Sequence, residues 1–255
     1  MNDLDVALAA TRAGTAVIRE RFGTAFHTEW KGEVDPVTEV DKLAEEAILA
    51  VIREHRPDDR VLAEESGGHD WDRGRVWIVD PLDGTVNFVH GFPQVATSVG
   101  LRHDGVGVVG VVESVVNREV FAAEAGAGAT LDGEPIGVST IDEAGRALVG
   151  TGFAYDRQRR AQSMANTLAG VLQRFQGIRR VGSAALDLCW VAAGRMDAYW
   201  EYGVKPWDTA AGALIVEEAG GRITTFTGTD YPLDDPGIVA TNGLVHDALL
   251  EAISE

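Results

Sequence analysis

The segment that most restricts the possible folds is WIVDPLDGT at residues 77–85. Residues 76–79 are apolar, and an acid, a proline, a second acid, a glycine and a threonine follow them. This order predicts a buried strand that ends abruptly, because Pro81 cannot donate to a sheet ladder and holds Asp80 in an extended conformation. Asp83 is suited to be the N-cap of a helix that would begin with free N–H groups at Gly84 and Thr85.

Such a segment can bring together the parts of a phosphoryl-transfer site. The carboxylates of Asp80 and Asp83 can face one cation, and the start of a helix beside them can hold an anion. Carboxylates, a hard cation and a phosphate-sized anion together indicate metal-assisted phosphoryl chemistry. An ordinary strand–turn–helix with a capping aspartate explains the segment equally well, so the remaining sequence has to decide.

Composition narrows the class of protein. The chain has 255 residues, is 45% hydrophobic and carries a formal net charge of −18, with a single cysteine. The length and apolar content suit one large domain or two joined halves, and the charge disfavours direct binding to nucleic acid. The acidic N-terminus lacks a signal-peptide pattern, and we find no apolar run long enough to span a membrane. We therefore expect a cytoplasmic protein.

The order of predicted elements indicates an α+β protein with two halves. Two amphipathic helices, a short strand at residues 60–63 and the strand at 76–79 precede an antiparallel meander over residues 95–131. From about residue 146, helices and strands alternate. We predict an N-terminal half at residues 1–145 and a C-terminal half at 146–255, packed as one unit. A G-x-G-x-x-G match at residues 105–110 leads into a strand, so we reject a dinucleotide site there.

Acidic residues fall repeatedly at the ends of predicted elements. Helix capping or solvation explains each of them separately, but together they offer oxygen ligands of the kind that Mg²⁺ prefers. The six histidines are scattered, which argues against zinc, and no G-x-S-x-G elbow supports a serine nucleophile. If the strand at 60–63 lies beside the strand at 76–79, Glu64 comes next to Asp80. The candidates are Asp41, Glu64, Asp80, Asp83 and Asp208.

Three motifs resemble those of the inositol monophosphatase family, which comprises magnesium-dependent, lithium-sensitive phosphatases. They are DPVTEVD at residues 35–41, WIVDPLDGTVNF at 77–88 preceded by AEES at 63–66, and WDTAAG at 207–212 continuing to EAGG at 218–221. The similarity covers essentially the whole chain. It implies a layered α-β-α-β-α sandwich that is usually a homodimer.

The resemblance also implies a role for individual residues. One Mg²⁺ would be held by Glu64, Asp80 and the carbonyl of Leu82, and a second by Asp80, Asp83 and Asp208. A third, weaker ion would lie near Glu64 on the side of Asp41. Thr85, hydrogen-bonded to Asp41, would orient and deprotonate the attacking water together with Glu64. The substrate would be contacted by Asp83, Gly84, Thr85, Gly182, Ser183, Ala184, Glu201 and Asp208.

The substrate stays open at this point. Hydrolysis of an inositol monophosphate is the first expectation, since the carboxylate of Glu201 suits a polyol. Glu201 could equally meet the ammonium group of histidinol phosphate. A 3′-nucleotide or fructose 1,6-bisphosphate would need basic residues, for which Lys205 and Arg157 to Arg160 are the only candidates that the sequence suggests. A non-enzymatic partner role in RNA metabolism is a further alternative, although the complete set of acids argues against an inactive enzyme.

Overall fold

The computed structural model describes residues 1–24, 28–30, 36–68, 70–154 and 156–254. The loop predicted at residues 31–36 and Asp35 of the first motif fall largely or wholly outside them. The helices are α1 (Asp3–Arg21), α2 (Glu39–His55), α3 (Thr85–Val89), α4 (Arg157–Arg174), α5 (Ala184–Ala192), α6 (Pro206–Glu218) and α7 (His246–Ile253). Among the described residues, no helix combines the length and the apolar character needed to cross a membrane.

The strands form two large sheets and one small ribbon. The ribbon pairs β1 (Thr28–Trp30) with β2 (Pro36–Thr38). The first large sheet has the strand order of the chain, and all its pairings are antiparallel except that between β3 and β4. This confirms the predicted meander. Its strands are β3 (Arg60–Ala63), β4 (Arg75–Asp83), β5 (Ala96–His103), β6 (Val106–Ser114), β7 (Val120–Glu124), β8 (Gly128–Leu131) and β9 (Glu134–Ile136).

The second large sheet comes from the C-terminal part of the chain and is mixed. Its strand order is β11-β10-β12-β14-β13, with β10 parallel to both its neighbours and β14 antiparallel to both of its own. Helices intervene between several of its strands, as the predicted alternation requires. The strands are β10 (Leu148–Thr151), β11 (Gly177–Arg179), β12 (Ala198–Tyr202), β13 (Arg222–Thr224) and β14 (Gly237–Thr241).

The elements stack in five layers, and the predicted α-β-α-β-α sandwich is confirmed. Helices α1 and α2 cover one face of the first sheet, where Val6, Ile48 and Trp77 share a buried cluster. Helices α5 and α6 lie between the two sheets and bury residues from both, including Phe121 and Tyr199. Helices α4 and α7 cover the outer face of the second sheet. The division near residue 145 stays a prediction.

Helix α6 lies unusually close to the first sheet, because two glycines face it. Gly100 of β5 and Gly110 of β6 are direct cross-strand partners. A Cβ on Gly110 would come within 2.6 Å of the carbonyl oxygen of Ala211, and one on Gly100 within 3.2 Å of the Ala211 nitrogen. The last glycine of the rejected G-x-G-x-x-G match therefore allows close packing of a helix that carries Asp208.

Candidate active site

A bulge in β4 places two carboxylates on one side of the sheet. The sequence suggested that the strand ends before Asp80. It continues instead to Asp83, with a shift of register. Asp80 pairs with Ser98 and Asp83 with Ala96, so β4 has one residue more than β5 over this interval. Side chains three residues apart normally point to opposite faces of a strand, and the extra residue corrects this. The hydroxyl of Thr97 donates to the Pro81 carbonyl at 3.0 Å and holds the bulge.

Glu64 lies beside Asp80, as the sequence predicted. Strands β3 and β4 are parallel, with Ala63 opposite Val79, and the Glu64 amide donates to the Val79 carbonyl at 3.1 Å. Helix α2 holds the next two residues through Glu45. Its carboxylate accepts hydrogen bonds from the backbone amides of Glu65 at 2.9 Å and Ser66 at 3.0 Å. The segment that follows β3 is thereby held against the site.

The turn after β4 differs from the predicted one. Gly84, not Asp83, is the N-cap of α3, and its φ of 93° is a left-handed conformation that favours glycine. A Cβ there would also come within 2.8 Å of the Gln94 carbonyl oxygen and 3.2 Å of the Gly182 carbonyl oxygen. Asp83 is thereby free of the capping role and is the last residue of the strand.

Thr85 and Asp41 form the hydrogen bond that the resemblance implied. Oγ1 of Thr85 lies 3.1 Å from Oδ1 of Asp41 and 3.1 Å from the carbonyl oxygen of Leu82. The other Asp41 oxygen, Oδ2, accepts the amide of Thr38 at 2.8 Å and its hydroxyl at 2.5 Å, in the capping box that begins α2. Both carboxylate oxygens of Asp41 are therefore oriented by donors.

Asp208 comes to the site from the start of α6. The sequence suggested an N-cap, but Lys205 is the N-cap, Pro206 opens the helix and Asp208 is its third residue. Its Oδ2 accepts the backbone amide of Lys205 at 2.7 Å. Proline suits the first helical position because its missing N–H would have no partner there, which explains why the helix begins three residues earlier than expected.

The segment 182–184 is tied directly to Asp83. Ser183 caps α5, and its hydroxyl donates to Oδ2 of Asp83 at 2.6 Å, while the Ala185 amide donates to the same oxygen at 2.8 Å. These bonds join residues about one hundred positions apart and connect β4 of the first sheet to the start of α5.

Glu201 lies on the inner face of the second sheet and is only partly accessible to solvent. Its Oε2 accepts the hydroxyl of Tyr199 at 2.5 Å. The carboxylate occupies the space that a Cβ on Gly152 would take, so the glycine makes room for it. Burial raises the pKa of Glu201 to about 7, with the hydrogen bond from Tyr199 acting in the opposite direction.

The acids interact strongly with one another. Burial and then the charges of Glu64, Asp83, Asp208 and Asp41 raise the pKa of Asp80 well above its usual value. Burial, followed by the charges of Asp83 and Glu64, does the same for Asp208. Burial raises the pKa of Asp83 to about 6, although its hydrogen bonds with Ser183 and backbone amides lower it. Burial also raises the pKa of Asp41, against its bonds from Thr38 and Thr85.

This charge pattern suits a bound cation. In the described part of the chain, no lysine or arginine forms an ion pair with Asp80, Asp83 or Asp208. The available donors are carboxylate and carbonyl oxygens, which are the ligands of Mg²⁺ and not of softer metals. No group of three or more Asp, Glu, His and Cys side chains among the described residues is arranged to hold a metal ion as it stands. Carbonyl oxygens and water would therefore complete the coordination.

Two residues near Glu201 were missed by the sequence analysis. Asp187 of α5 is fully buried, and among the described residues neither of its carboxylate oxygens has a hydrogen-bond partner. Burial, then the charges of Glu201 and Asp83, raise its pKa well above the usual value. Arg180 is exposed, and its positive charge lowers the pKa of both Glu201 and Asp187. Only the three-dimensional fold brings these residues to Glu201, and no local sequence signal marks them.

Of the basic residues that the sequence suggested, Arg160 is engaged elsewhere, and Lys205 is the N-cap of the helix that carries Asp208. Arg160 donates to Asp156 at 2.8 Å, and its guanidinium stacks over the ring of Tyr202 at 4.1 Å. The backbone amide of Lys205 is bonded to Asp208. Arg180 is a further cation, which the structure adds to the surroundings of Glu201.

Comparison with known proteins identifies the relatives of this chain. The profile described as "Inositol monophosphatase family" matches residues 2–255. The chain is 42% identical over 253 residues to "Inositol-1-monophosphatase" of Synechocystis sp., covering 98% of this chain and 88% of that protein. It is also 42% identical over 259 residues to "Nus factor SuhB" of Pseudomonas aeruginosa, covering 98% and 95%.

The solved structures agree with the sequence relatives. The structure of inositol monophosphatase from Anabaena (Nostoc) sp. superposes with a TM-score of 0.90 at 41% identity, covering 98% of this chain and 94% of that chain. The Thermotoga maritima IMPase superposes with a TM-score of 0.92 at 35% identity, covering 100% and 97%. The chain thus belongs to the inositol monophosphatase family and is a phosphatase, a phosphoric monoester hydrolase.

Proposed function

We propose that this phosphatase hydrolyses an inositol monophosphate to inositol and inorganic phosphate with the aid of Mg²⁺. The observation that carries the proposal is the convergence of Asp80, Asp83 and Asp208 beside the start of α3, with Glu201 close enough to Asp83 and Asp208 to interact electrostatically with both. The resemblance of the motifs supports the same reaction, as does the name of the Synechocystis relative.

Oxygen donors on four structural elements would hold the metal. Glu64, Asp80 and the Leu82 carbonyl would bind one Mg²⁺, Asp80, Asp83 and Asp208 a second, and a third would lie near Glu64 on the Asp41 side. Bound Mg²⁺ lowers the pKa of coordinated water and offsets negative charge on phosphate and leaving-group oxygens. Oδ2 of Asp83 already accepts two hydrogen bonds, so Oδ1 is the oxygen that remains for a ligand.

Thr85 and Asp41 would handle the proton of the attacking water. Because Oγ1 of Thr85 can donate to Oδ1 of Asp41, its lone pairs are directed away from Asp41 and can accept a hydrogen bond from water. As the water attacks phosphorus, its proton can pass to Oγ1 while the hydroxyl proton of Thr85 passes to Oδ1 of Asp41. The backbone amides of Gly84 and Thr85 would donate to the phosphate oxygens, whose charge increases during the displacement.

Glu201 would select the alcohol part of the substrate. Its Oε2 accepts from Tyr199, and the remaining oxygen can accept a hydroxyl of the polyol. Gly182, Ser183 and Ala184 would form the adjacent wall, held in place by the bond from Ser183 to Asp83. Asp83 and Asp208 would contact both metal and substrate.

A specific observation favours histidinol phosphate as a second candidate. The pKa of Glu201 lies near 7 because of burial, and Asp187 adds an unpartnered acid behind it. An ammonium group on the substrate would favour the ionised form of Glu201 and relieve the repulsion among these acids, which a neutral polyol cannot do.

Phosphate release from the two compounds side by side tests the proposal. Purified protein is assayed with Mg²⁺ on inositol 1-phosphate and on histidinol phosphate, each with and without EDTA, with Asp80→Asn as the control for contaminating phosphatase. A preference for inositol 1-phosphate that EDTA abolishes is the expected result. A preference for histidinol phosphate would replace the substrate but keep the chemistry. Activity on neither would overturn the proposal and favour bisphosphates or a partner role.

The remaining expectations from the resemblance stay predictions. Light scattering after size exclusion would test the homodimer, and fractionation of cells would test the cytoplasmic location. Filter binding would test the absence of direct contact with nucleic acid, which the net charge of −18 predicts.

A further inference from the structure

Arg180 lies against the wall that joins the phosphate-binding turn to Glu201. Its guanidinium occupies the space that a Cβ on Gly182 would take. The carbonyl oxygen of Gly182 is in turn 3.2 Å from the position of a Cβ on Gly84, whose amide belongs to the turn after β4. Gly182 therefore lies against both the guanidinium and the turn that would receive the phosphate.

The guanidinium is held by stacking and has no partner acid among the described residues. It lies over the ring of Phe153 at 5.5 Å, a separation at which a cation interacts with a ring face. No carboxylate in the described ranges forms an ion pair with it, and the side chain is exposed. Its neighbour Arg179 differs, because that guanidinium donates to the Ile178 carbonyl at 3.1 Å.

The location of Arg180 corresponds to the alcohol side of the site. Its charge lowers the pKa of Glu201, and Phe153 follows Gly152, the residue that makes room for the Glu201 carboxylate. A substrate that places one phosphate at Gly84 and its hydroxyl groups at Glu201 would extend past this guanidinium. A guanidinium presents a planar fork of N–H donors that matches a phosphate or carboxylate. The N–H groups of Arg180 are available for such a contact.

We propose that Arg180 binds a second phosphate on the alcohol part of the substrate and so sets the preference between mono- and bisphosphorylated substrates. This inference rests on the proposed function and deepens it. The acids around Glu201 repel such a group, and Arg180 is the residue that offsets that repulsion. Arg180 thereby adds a basic group to Lys205 and Arg157 to Arg160, the candidates that the sequence suggested for a bisphosphate substrate.

The size of the effect follows from the kind of bond involved. A charge-assisted hydrogen bond between a guanidinium and a phosphate changes affinity by roughly ten- to a hundredfold. Arg180→Ala should lower kcat/KM for inositol 1,4-bisphosphate by that factor, and that for inositol 1-phosphate by less than threefold. Arg180→Lys should fall between wild type and Arg180→Ala, since it keeps the charge but loses the fork.

The test is the ratio of the two kcat/KM values in each variant, with Arg179→Ala as the matched control. A tenfold or greater fall of the bisphosphate-to-monophosphate ratio in Arg180→Ala alone is the expected result. A ratio that changes by less than threefold would overturn the proposal, as would an equal loss on both substrates, which would make Arg180 a structural residue. Thermal unfolding of each variant verifies that the exposed substitution leaves the fold intact.

Calorimetry separates this inference from the proposed function. Binding of the two inositol phosphates is measured with Ca²⁺ in place of Mg²⁺, so that no turnover is required. If neither compound is hydrolysed but Arg180→Ala selectively weakens the bisphosphate, the proposed function fails and the role of Arg180 stands. If both are hydrolysed and the bisphosphate binds equally well to Arg180→Ala and wild type, the role of Arg180 fails alone.

Discussion

Replacing Glu201 by glutamine should stabilise the metal-free protein at alkaline pH. The pKa of Glu201 is about 7 in the folded chain, against an ordinary value of 4.5, chiefly because of burial. The folded protein therefore binds this proton more tightly than the unfolded chain, and the free energy of unfolding falls as pH rises from 4.5 through 7. At about 1.4 kcal/mol per pH unit, the upper limit of the loss is ~3.5 kcal/mol, and the partial exposure of the side chain reduces it to ~3 kcal/mol or less.

Glu201→Gln removes the charge but keeps an oxygen that can accept the Tyr199 hydroxyl. Urea unfolding in EDTA at pH 4.5 and pH 8.5 measures the effect. We expect similar stability of variant and wild type at pH 4.5, and a variant that is more stable by up to ~3 kcal/mol at pH 8.5. Other acids also titrate over this range, so the quantity of interest is the difference between the two proteins at each pH.

A control with the same change of charge isolates burial as the cause. Glu54 of α2 is exposed, and Glu54→Gln should follow the wild type at both pH values within ~0.5 kcal/mol. If the difference between Glu201→Gln and wild type is the same at pH 4.5 and pH 8.5, the Glu201 proton is not bound more tightly in the folded state, and the reasoning is refuted.

Three further substitutions test the site. Asp80→Asn should abolish turnover while raising the melting temperature of the metal-free protein, because burial and neighbouring acids disfavour its charge; near-normal activity of the folded variant would contradict its assignment. Ser183→Ala removes the 2.6 Å hydrogen bond to Asp83 and should raise the pKa of Asp83 further. The Mg²⁺ concentration for half-maximal activity should therefore increase severalfold at pH 6.5 and change little at pH 8.5. Gly152→Ala places a Cβ where the Glu201 carboxylate lies, and should raise KM for inositol 1-phosphate about tenfold with a smaller change in kcat; an unchanged KM would argue that Glu201 does not contact substrate.

The features that local chemistry determines were predictable from the sequence. Thr38 and Asp41 form a capping box over four residues, a pattern that needs no knowledge of the fold. The position of Glu64 beside Asp80 followed from two adjacent strands with a shared end. The meander was marked by its polar turns, because tight connections between apolar strands require antiparallel pairing.

The features that depend on distant contacts were not predictable. The strand containing Asp80 continues past Pro81 because Thr97, on the neighbouring strand, binds the Pro81 carbonyl. Gly84 takes the cap in place of Asp83 because the latter is bonded by Ser183 from one hundred residues away. Arg180 reaches the surroundings of Glu201 because β11, which it follows, and β12, which carries Glu201, both pair with β10 in the second sheet, and the linear sequence holds no signal for these pairings.

The flat contact between α6 and the glycine pair at 100 and 110 makes the separation of two carboxylates a property of the main chain. Asp208 is attached to the helix and Asp80 to the sheet, and where the glycine pair faces α6 the nearest atoms are main-chain atoms of Ala210 and Ala211 and the small Cβ of Ala210. Substitutions elsewhere in the apolar layers can alter volume and rotamers without altering this spacing, whereas any Cβ at Gly110 would displace the helix and its acid together. A phosphatase of this kind can accept many substitutions in its apolar interior while the distance between these two carboxylates stays the same.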